Sequence, residues 1–528
     1  MKLWPFNGST KIAESKPQPR IEPTIQLPTS RELKAMHRRM YEGAKVDRTS
    51  ADWMALSSSA DSEILTSLRV LRARSRQMIR DNPYALHGVR QIVNNVIGPG
   101  IGMQPRVTSP SGELETQIND KILEEWKEWC HKKTAHTGGL LHFHDIERIV
   151  MWQIIESGEA ILRLVEQPFG GGAIPLAIEV IESDRLMDQW QSARAPNGNT
   201  IKMGVEMDNW GRPVAYWFWP THPGDYQFQS FQPSKFLRIP AEEIIHVYLV
   251  ERWPQTRGVP WFHASLRRLR NSDRYEDSEL IAARASANIV GFVETPDIHP
   301  LPGEDGNEKG DNQRILDTEP GQFQTLLPGE KFTGFAPSRP NAALEPFMRY
   351  LLRSVAVGIG VSYSGFSGDY SQHSYSSLRM EALSDRDLYR IVQVWIIRNM
   401  RKEIQNRWLD AAVLAGRASL PGYYADSRRY QKCKFKPRGW TWIDPREIKY
   451  MTGAVRSGFT TVSDVINETA GGSDVDDVFI TRRAELDLME KLGLVFDTDP
   501  AQVDELGQEQ PDIVDEPGAD SNPPKNKP

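Results

Sequence analysis

The sequence predicts an α+β fold, and three patterns carry that expectation. Apolar residues recur at three-and-four spacing between Asp61 and Gly100, runs of β-branched and aromatic residues follow between Ala160 and Val250, and helical periodicity returns from Pro260 onward. The 528 residues are 39% hydrophobic and 25% charged, which supplies apolar material for a large core over two or three folding units.

In chain order, residues 1–60 hold ten Lys/Arg and six Asp/Glu among scattered Pro, Ser and Thr, and read as a partly disordered N-terminal arm. A first helix follows through Ile64, Leu68, Leu71, Met78 and Ile79. A second opens with Asn82 as cap and Pro83 at its first position, carries Val89, Ile92, Val93 and Val96, and stops at Gly98-Pro99-Gly100. Leu114, Ile118, Ile122, Trp126 and Trp129 mark a third helix, and Phe143 to Ser157 a fourth ended by Gly158. Strands are expected at 160–165, 174–181, 214–219 and 244–250, separated by Gly, Pro and Asn turns. Residues 61–260 thus form an α+β body.

From Pro260 the texture changes. Phe262, Leu266 and Leu269 begin a helix whose stretch Arg270 to Glu279 is polar on every side except Tyr275, a pattern foreign to the core of a single subunit. A Pro- and Gly-punctuated segment to Pro340 reads as a small β-containing insertion, with strands near 291–295, 322–327 and 331–335 and an acidic loop at 303–311. A helix over 342–357 precedes a run of Ser, Tyr and Gly from Val361 to Ser377 that lacks Lys and Arg and reads as a loop. In the long helix expected over 377–414, Leu388, Val392, Ile396, Met400, Ile404 and Trp408 fall every four residues. Such a repeat drifts around a helix of 3.6 residues per turn, so the element is expected to meet more than one neighbour. Asp444-Pro445 with Glu447, and Thr461 with Asp464, signal two further helix starts. Residues 500–528 carry seven acids against Lys525 and Lys527 and no aromatic residue, the composition of a disordered tail.

The formal net charge of −6 argues against a tight sequence-independent grip on nucleic acid. Only Cys130 and Cys433 are present, too few for a disulfide framework, and no apolar stretch is long enough to span a membrane. The densest group of potential metal ligands is Cys130, His131, His136, His142 and His144, whose spacing matches no standard zinc pattern. It leaves one rival reading, a metal-dependent enzyme acting on nucleic acid. Gly98, Gly100 and Gly102 end a helix instead of leading into one, and Gly365-Phe366-Ser367-Gly368 lacks a nucleophile elbow's spacing. No constellation predicts catalysis, and no cofactor is expected. What stands out is architectural: a polar helix, a β insertion between two helices, and a loop without Lys or Arg. In a ring these would face a water-filled channel and suit the passage of a polymer.

Six segments in order carry a family resemblance: Asn82-Pro83-Tyr84 with 94–105 (NNVIGPGIGMQP), 251–261 (ERWPQTRGVPW), 275–293 (YEDSELIAARASANIVGFV), 358–379 (GIGVSYSGFSGDYSQHSYSSLR), 407–416 (RWLDAAVLAG) and 440–449 (WTWIDPREIK). The chain resembles the lambda-like portal proteins of tailed bacteriophages. The resemblance implies a portal fold assembled as a ring of about twelve subunits at one capsid vertex. It implies a wing at 61–260, stem helices at 261–288 and 341–358, a clip at 289–340, a tunnel loop at 359–377, and a helical C-terminal wing or crown region at 378–499. It also implies a non-enzymatic role in packaging and ejecting double-stranded DNA, held non-specifically and transiently. The implied partners are terminase, a major capsid or scaffold protein and a head–tail connector protein, with no membrane. The site is the virion, after assembly in the host cytoplasm. Candidate DNA-path residues are Tyr363, Ser364, Ser367, Asp369, Tyr370, Ser371, His373 and Tyr375 on the loop, and Arg270, Asp273, Arg274, Glu276 and Asp277 along the stem.

Overall fold

Asn82 ends one helix and begins the next. Helix α1 (Ala60–Asp81) is capped by Ser59, and Asn82 Oδ1 accepts from the Ala85 amide at 2.8 Å to start α2 (Pro83–Val96). Ala85, Val89, Ile92, Val93 and Val96 are all buried, so α2 runs through the main core. The computed structural model describes residues 57–192, 195, 197–225, 236–288, 291–294, 331–334, 343–371, 373–440, 446–469 and 475–494. Residues 1–56 of the N-terminal arm, the acidic loop at 303–311, the strand expected at 322–327, the cap at Asp444-Pro445 and the acidic tail lie outside them.

Strand β1 (Gly102–Pro105) leads to α3 (Thr116–Trp129), the one-turn α4 (Lys132–Ala135) and α5 (Phe143–Ser157). Gly158 stops α5 at φ 89°, with its Cα against the Val259 backbone, where a Cβ would stand 2.4 Å away. Two antiparallel sheets follow. Strands β2 (Glu159–Val165) and β3 (Ala177–Ile181) pair first, and β4 (Thr200–Lys202), β5 (Val205–Met207), β6 (Pro213–Phe218) and β7 (Leu237–Pro240) form a four-stranded meander. Strand β8 (Ile244–Tyr248) returns to the other edge of β2, giving the order β3-β2-β8. Ile161, Ile181, Val205, Tyr216, Phe218 and Ile239 make a second core between the sheets. The strand expected from residue 174 begins only at Ala177.

The second half opens with α6 (Leu266–Asn288) and the antiparallel pair β9 (Gly291–Glu294) and β10 (Lys331–Gly334). Helices α7 (Leu344–Ile359), α8 (Tyr363–Ser367) and α9 (Tyr375–Ile396) lead into a π-turn at Ile397–Arg401 and then α10 (Lys402–Leu414). The one-turn α11 (Ser427–Tyr430) precedes β11 (Cys433–Lys436), and α12 (Arg446–Arg456), α13 (Val462–Thr469) and α14 (Val475–Leu492) complete the described chain. Strand β11 pairs antiparallel with β1, Gly102 opposite Lys436, closing the C-terminal half onto the N-terminal one. No helix among the described residues is long and apolar enough to cross a membrane.

Two expectations are corrected here. The long helix over 377–414 starts at Tyr375 and runs to Leu414 with a π-turn inside it, and that π-turn explains the four-residue repeat. A π-turn adds a residue to one turn, which offsets the drift, and Val392, Ile396, Met400, Ile404 and Trp408 are accordingly all buried. The run 361–377 is not loop throughout, since Ser362 caps α8, Gly368 closes it at φ 72°, and Phe366 is fully buried.

Charge is also buried. Arg257 and Arg72 both bind Glu159 at the start of β2, with Arg257 Nε at 3.0 and 2.9 Å from its two oxygens and Arg72 Nη2 at 2.8 Å from one. Beside the π-turn, Arg401 lies 3.0 Å from Glu147 and stacks 4.3 Å from the Trp126 ring and 4.7 Å from Phe143.

Candidate functional site

Leu266 and Leu269 anchor the first turns of α6 in the core, and Ser265 Oγ donates to the Val355 carbonyl of α7 at 3.2 Å. Gly358 permits this approach, because a Cβ there would meet Ser265 Oγ at 2.1 Å. Further along, Tyr275 meets Phe347 of α7 edge-on at 4.8 Å. The polar stretch of α6 therefore has one side packed on α7, and only its outer side is open.

Of the stem candidates, Arg270, Arg274, Glu276 and Asp277 are exposed. Asp273 is not a free channel charge: it is half-buried and accepts from Asn82 Nδ2 at 2.6 Å, tying α6 to the α1–α2 corner. Burial, with Asp277 and Asp81 nearby, outweighs the Asn82 hydrogen bond and raises its pKa.

Helix α8 docks its Phe366 against Gly88 of α2, so close that a Cβ on Gly88 would lie 2.7 Å from the ring. Asp385 of α9 holds the entry to α8, accepting from the Ser362 amide at 2.8 Å and its hydroxyl at 2.6 Å. Ser364, expected on the DNA path, is buried, and its hydroxyl donates to Glu381. Ser367 is half-buried and donates to the Tyr363 carbonyl at 2.7 Å. The exposed candidates are Tyr370, Ser371 and Tyr375, while Tyr363 and His373 are half-buried.

Asp369 gathers the turn after α8. It accepts from the Ser371 hydroxyl at 2.6 Å, the Ser371 amide at 3.0 Å and the Tyr363 hydroxyl at 3.0 Å, and Arg349 lies 3.5 Å away. These contacts, those of Ser371 foremost, hold its pKa down at about 2. Glu276 and Asp369 add to burial in raising the pKa of Tyr84, so the stem and this turn converge there. Arg353 stacks 5.3 Å from the Tyr363 ring. Sequence reading missed Arg349 and Arg353; their four-residue spacing on one helix face, just before the Tyr/Ser/Gly run, was the available signal.

The Cys/His group does not converge on one point. Cys130 is buried beside tryptophans, and burial pushes its thiol pKa up. His142 caps α5 in a reciprocal pair with Asp145, His144 Nδ1 lies 2.8 Å from Glu147, and His136 Nδ1 accepts from the Leu140 amide at 3.3 Å. Among the described residues the ligand-type atoms that do gather, within 4.8 Å, are those of Glu182, Asp184 and His222, where Arg72 and Arg76 already neutralise Asp184.

The family model described as "Phage portal protein, lambda family" matches residues 46–393, more than half of the chain. The probable portal protein of Halomonas phage phiHAP-1 is 28% identical over 501 residues, covering 93% of this chain and 92% of that one. Portal protein B of Escherichia phage lambda is 22% identical over 475 residues, covering 81% and 85%. A chain from the neck of a native GTA particle, computed with C12 symmetry, aligns at 15% identity over 77% of this chain and 99% of its own, with a TM-score of 0.42.

Proposed function

Because the chain belongs to the lambda family of phage portal proteins, we propose that it forms the ring at one capsid vertex through which double-stranded DNA is packaged and ejected. The family match carries this reading, since it runs through the two sheets, α6, α7 and most of α9. The exposed apolar side chains of α7 and α9 support assembly: Tyr350, Val357, Met380 and Ile391 are 69%, 77%, 68% and 68% exposed, a surface that a neighbouring copy would cover. Residues 61–260 serve as wing, α6 and α7 as stem, 289–340 as clip, 359–377 as the segment at the tunnel, and 378–499 as the C-terminal wing or crown. Tyr370, Ser371 and Tyr375 are its outward groups, and a turn whose own charge is Asp369 alone lets phosphates slide instead of holding them. Terminase docks on the ring for packaging, a capsid or scaffold protein and a head–tail connector also bind it, and the ring takes its place in the virion after assembly in the host cytoplasm. Nothing favours the metal-dependent enzyme, whose five ligands do not gather on one point.

Electron microscopy of the purified protein tests the reading. Rings with a central channel are expected, of about twelve copies if the common family number holds. Sedimentation showing only a stable monomer at micromolar concentration would overturn it.

A further inference from the structure

A groove of about 740 Å³ runs between the π-turn, α11 and β11, and six of its eleven lining residues are Arg106, Arg398, Lys402, Arg428, Lys432 and Lys434, with no Asp or Glu among the rest. Three features of the fold assemble it. Arg398 and Lys402 stand four apart on the outer side of the π-turn, α11 brings Arg428, and the β1–β11 pairing sets Arg106 beside Lys432, whose carbonyl accepts from the Arg106 amide at 2.9 Å. Arg398, Lys402, Arg428 and Lys432 are exposed and form no ion pair with a carboxylate among the described residues. Like charges this close repel and call for a counter-anion.

We propose that this groove binds the chain's own acidic C-terminal segment, residues 500–528. That segment carries seven acids against two lysines, so its charge complements the groove. The tether also suits it. Asp476, at the start of α14, lies 3.5 Å from Arg106 at the groove's edge, and α14 has 18 residues, about 27 Å of helix. About ten extended residues beyond it cover roughly 33 Å, enough for Asp504 and the acids after it to return. Covalent linkage gives the segment an effective concentration on the order of millimolar. The groove and the segment belong to one chain, so the inference does not rest on the ring.

The test uses full-length protein and a labelled peptide of residues 500–528 added in trans. One variant has all seven acids of the segment changed to their amides; a second adds Arg398→Glu, Lys402→Glu, Arg428→Glu and Lys432→Glu. At about 50 mM salt, where screening is weak, the amide variant is expected to bind the peptide at least about ten-fold tighter than the parent, and the doubly changed chain to lose that gain. Unchanged circular dichroism in both variants shows that they fold. Equal binding by parent and amide variant, or binding that survives the four reversals, would overturn the proposal. So would a DNA duplex bound through these four cations by a chain that ignores the peptide.

Discussion

Glu159 has no contact with solvent, yet it carries charge. Burial alone would raise its pKa; the Arg257 charge and the hydrogen bonds from His246 and Arg257 reverse that and hold it well below the usual carboxylate range. Glu159→Gln leaves Arg257 buried with a neutral partner, while Arg72 keeps Asp184 at 2.8 Å. It is expected to cost about 3–5 kcal/mol, read as a lowered urea midpoint. Glu206 gives a prediction in pH. The hydrogen bond from Arg238, with those from Asn199, Asn197 and Trp217, outweighs burial and lowers its pKa from 4.5 to about 2. A depressed carboxylate stabilises the fold fully above its unfolded pKa and loses that stabilisation as pH falls through the folded one. Glu206 should therefore contribute, on the order of 2 kcal/mol, above about pH 4.5 and progressively less toward pH 2. Glu206→Gln should flatten the acid limb of the stability curve in that window, and an unchanged limb would show the pairing to be weak.

At the scale of elements, the π-turn sets the phase of everything after it. Asn399 is exposed in this turn, and deleting it would restore ordinary helical spacing while rotating α10 by about 100° relative to α9. Ile404 and Trp408 would then leave the core, where Trp408 meets Trp126 edge-on at 5.0 Å. The deletion should cost far more than Asn399→Ala, which removes only the hydrogen bond to the Trp395 carbonyl at 2.8 Å. Comparing the two in thermal unfolding separates phase from contact. The seat of α8 is tested in the same way. Gly88→Ala places a methyl group against Phe366 and should cost about 1–3 kcal/mol, and Phe366→Leu should relieve part of it.

For the whole molecule, assembly and DNA transit are separable. Val357→Glu with Ile391→Glu puts charge on exposed apolar positions that no described core requires, so the chain should fold but sediment toward monomer. Tyr370→Lys with Ser371→Lys alters the open part of the segment after α8. With about twelve subunits this adds about two dozen cations, and each phosphate neutralised adds about 0.9 to the salt-dependent slope of DNA binding. Intact rings carrying this change should package or eject DNA more slowly, most visibly at low ionic strength. Rates unchanged across salt would remove residues 359–377 from the DNA path.

Local signals determined the elements. Asn82-Pro83, Gly158 and the three-and-four spacing of α2 act within a few residues, so the sequence by itself fixed where helices start, stop and face. The polar stretch of α6 was equally legible, because a helix without an apolar stripe announces that its outer face has no partner in its own chain. What needed the tertiary structure were contacts between residues far apart. Ser364 reads as a loop hydroxyl until Glu381 is folded onto it, and Asp273 as a channel charge until Asn82 stands beside it. The drift of the four-residue repeat was visible, but its resolution by a π-turn depended on the aromatic cluster that Trp408 and Arg401 had to reach. The basic groove was hidden for the same reason. Its six cations come from three separate stretches in a chain of net charge −6, and only the fold brings them to line one groove.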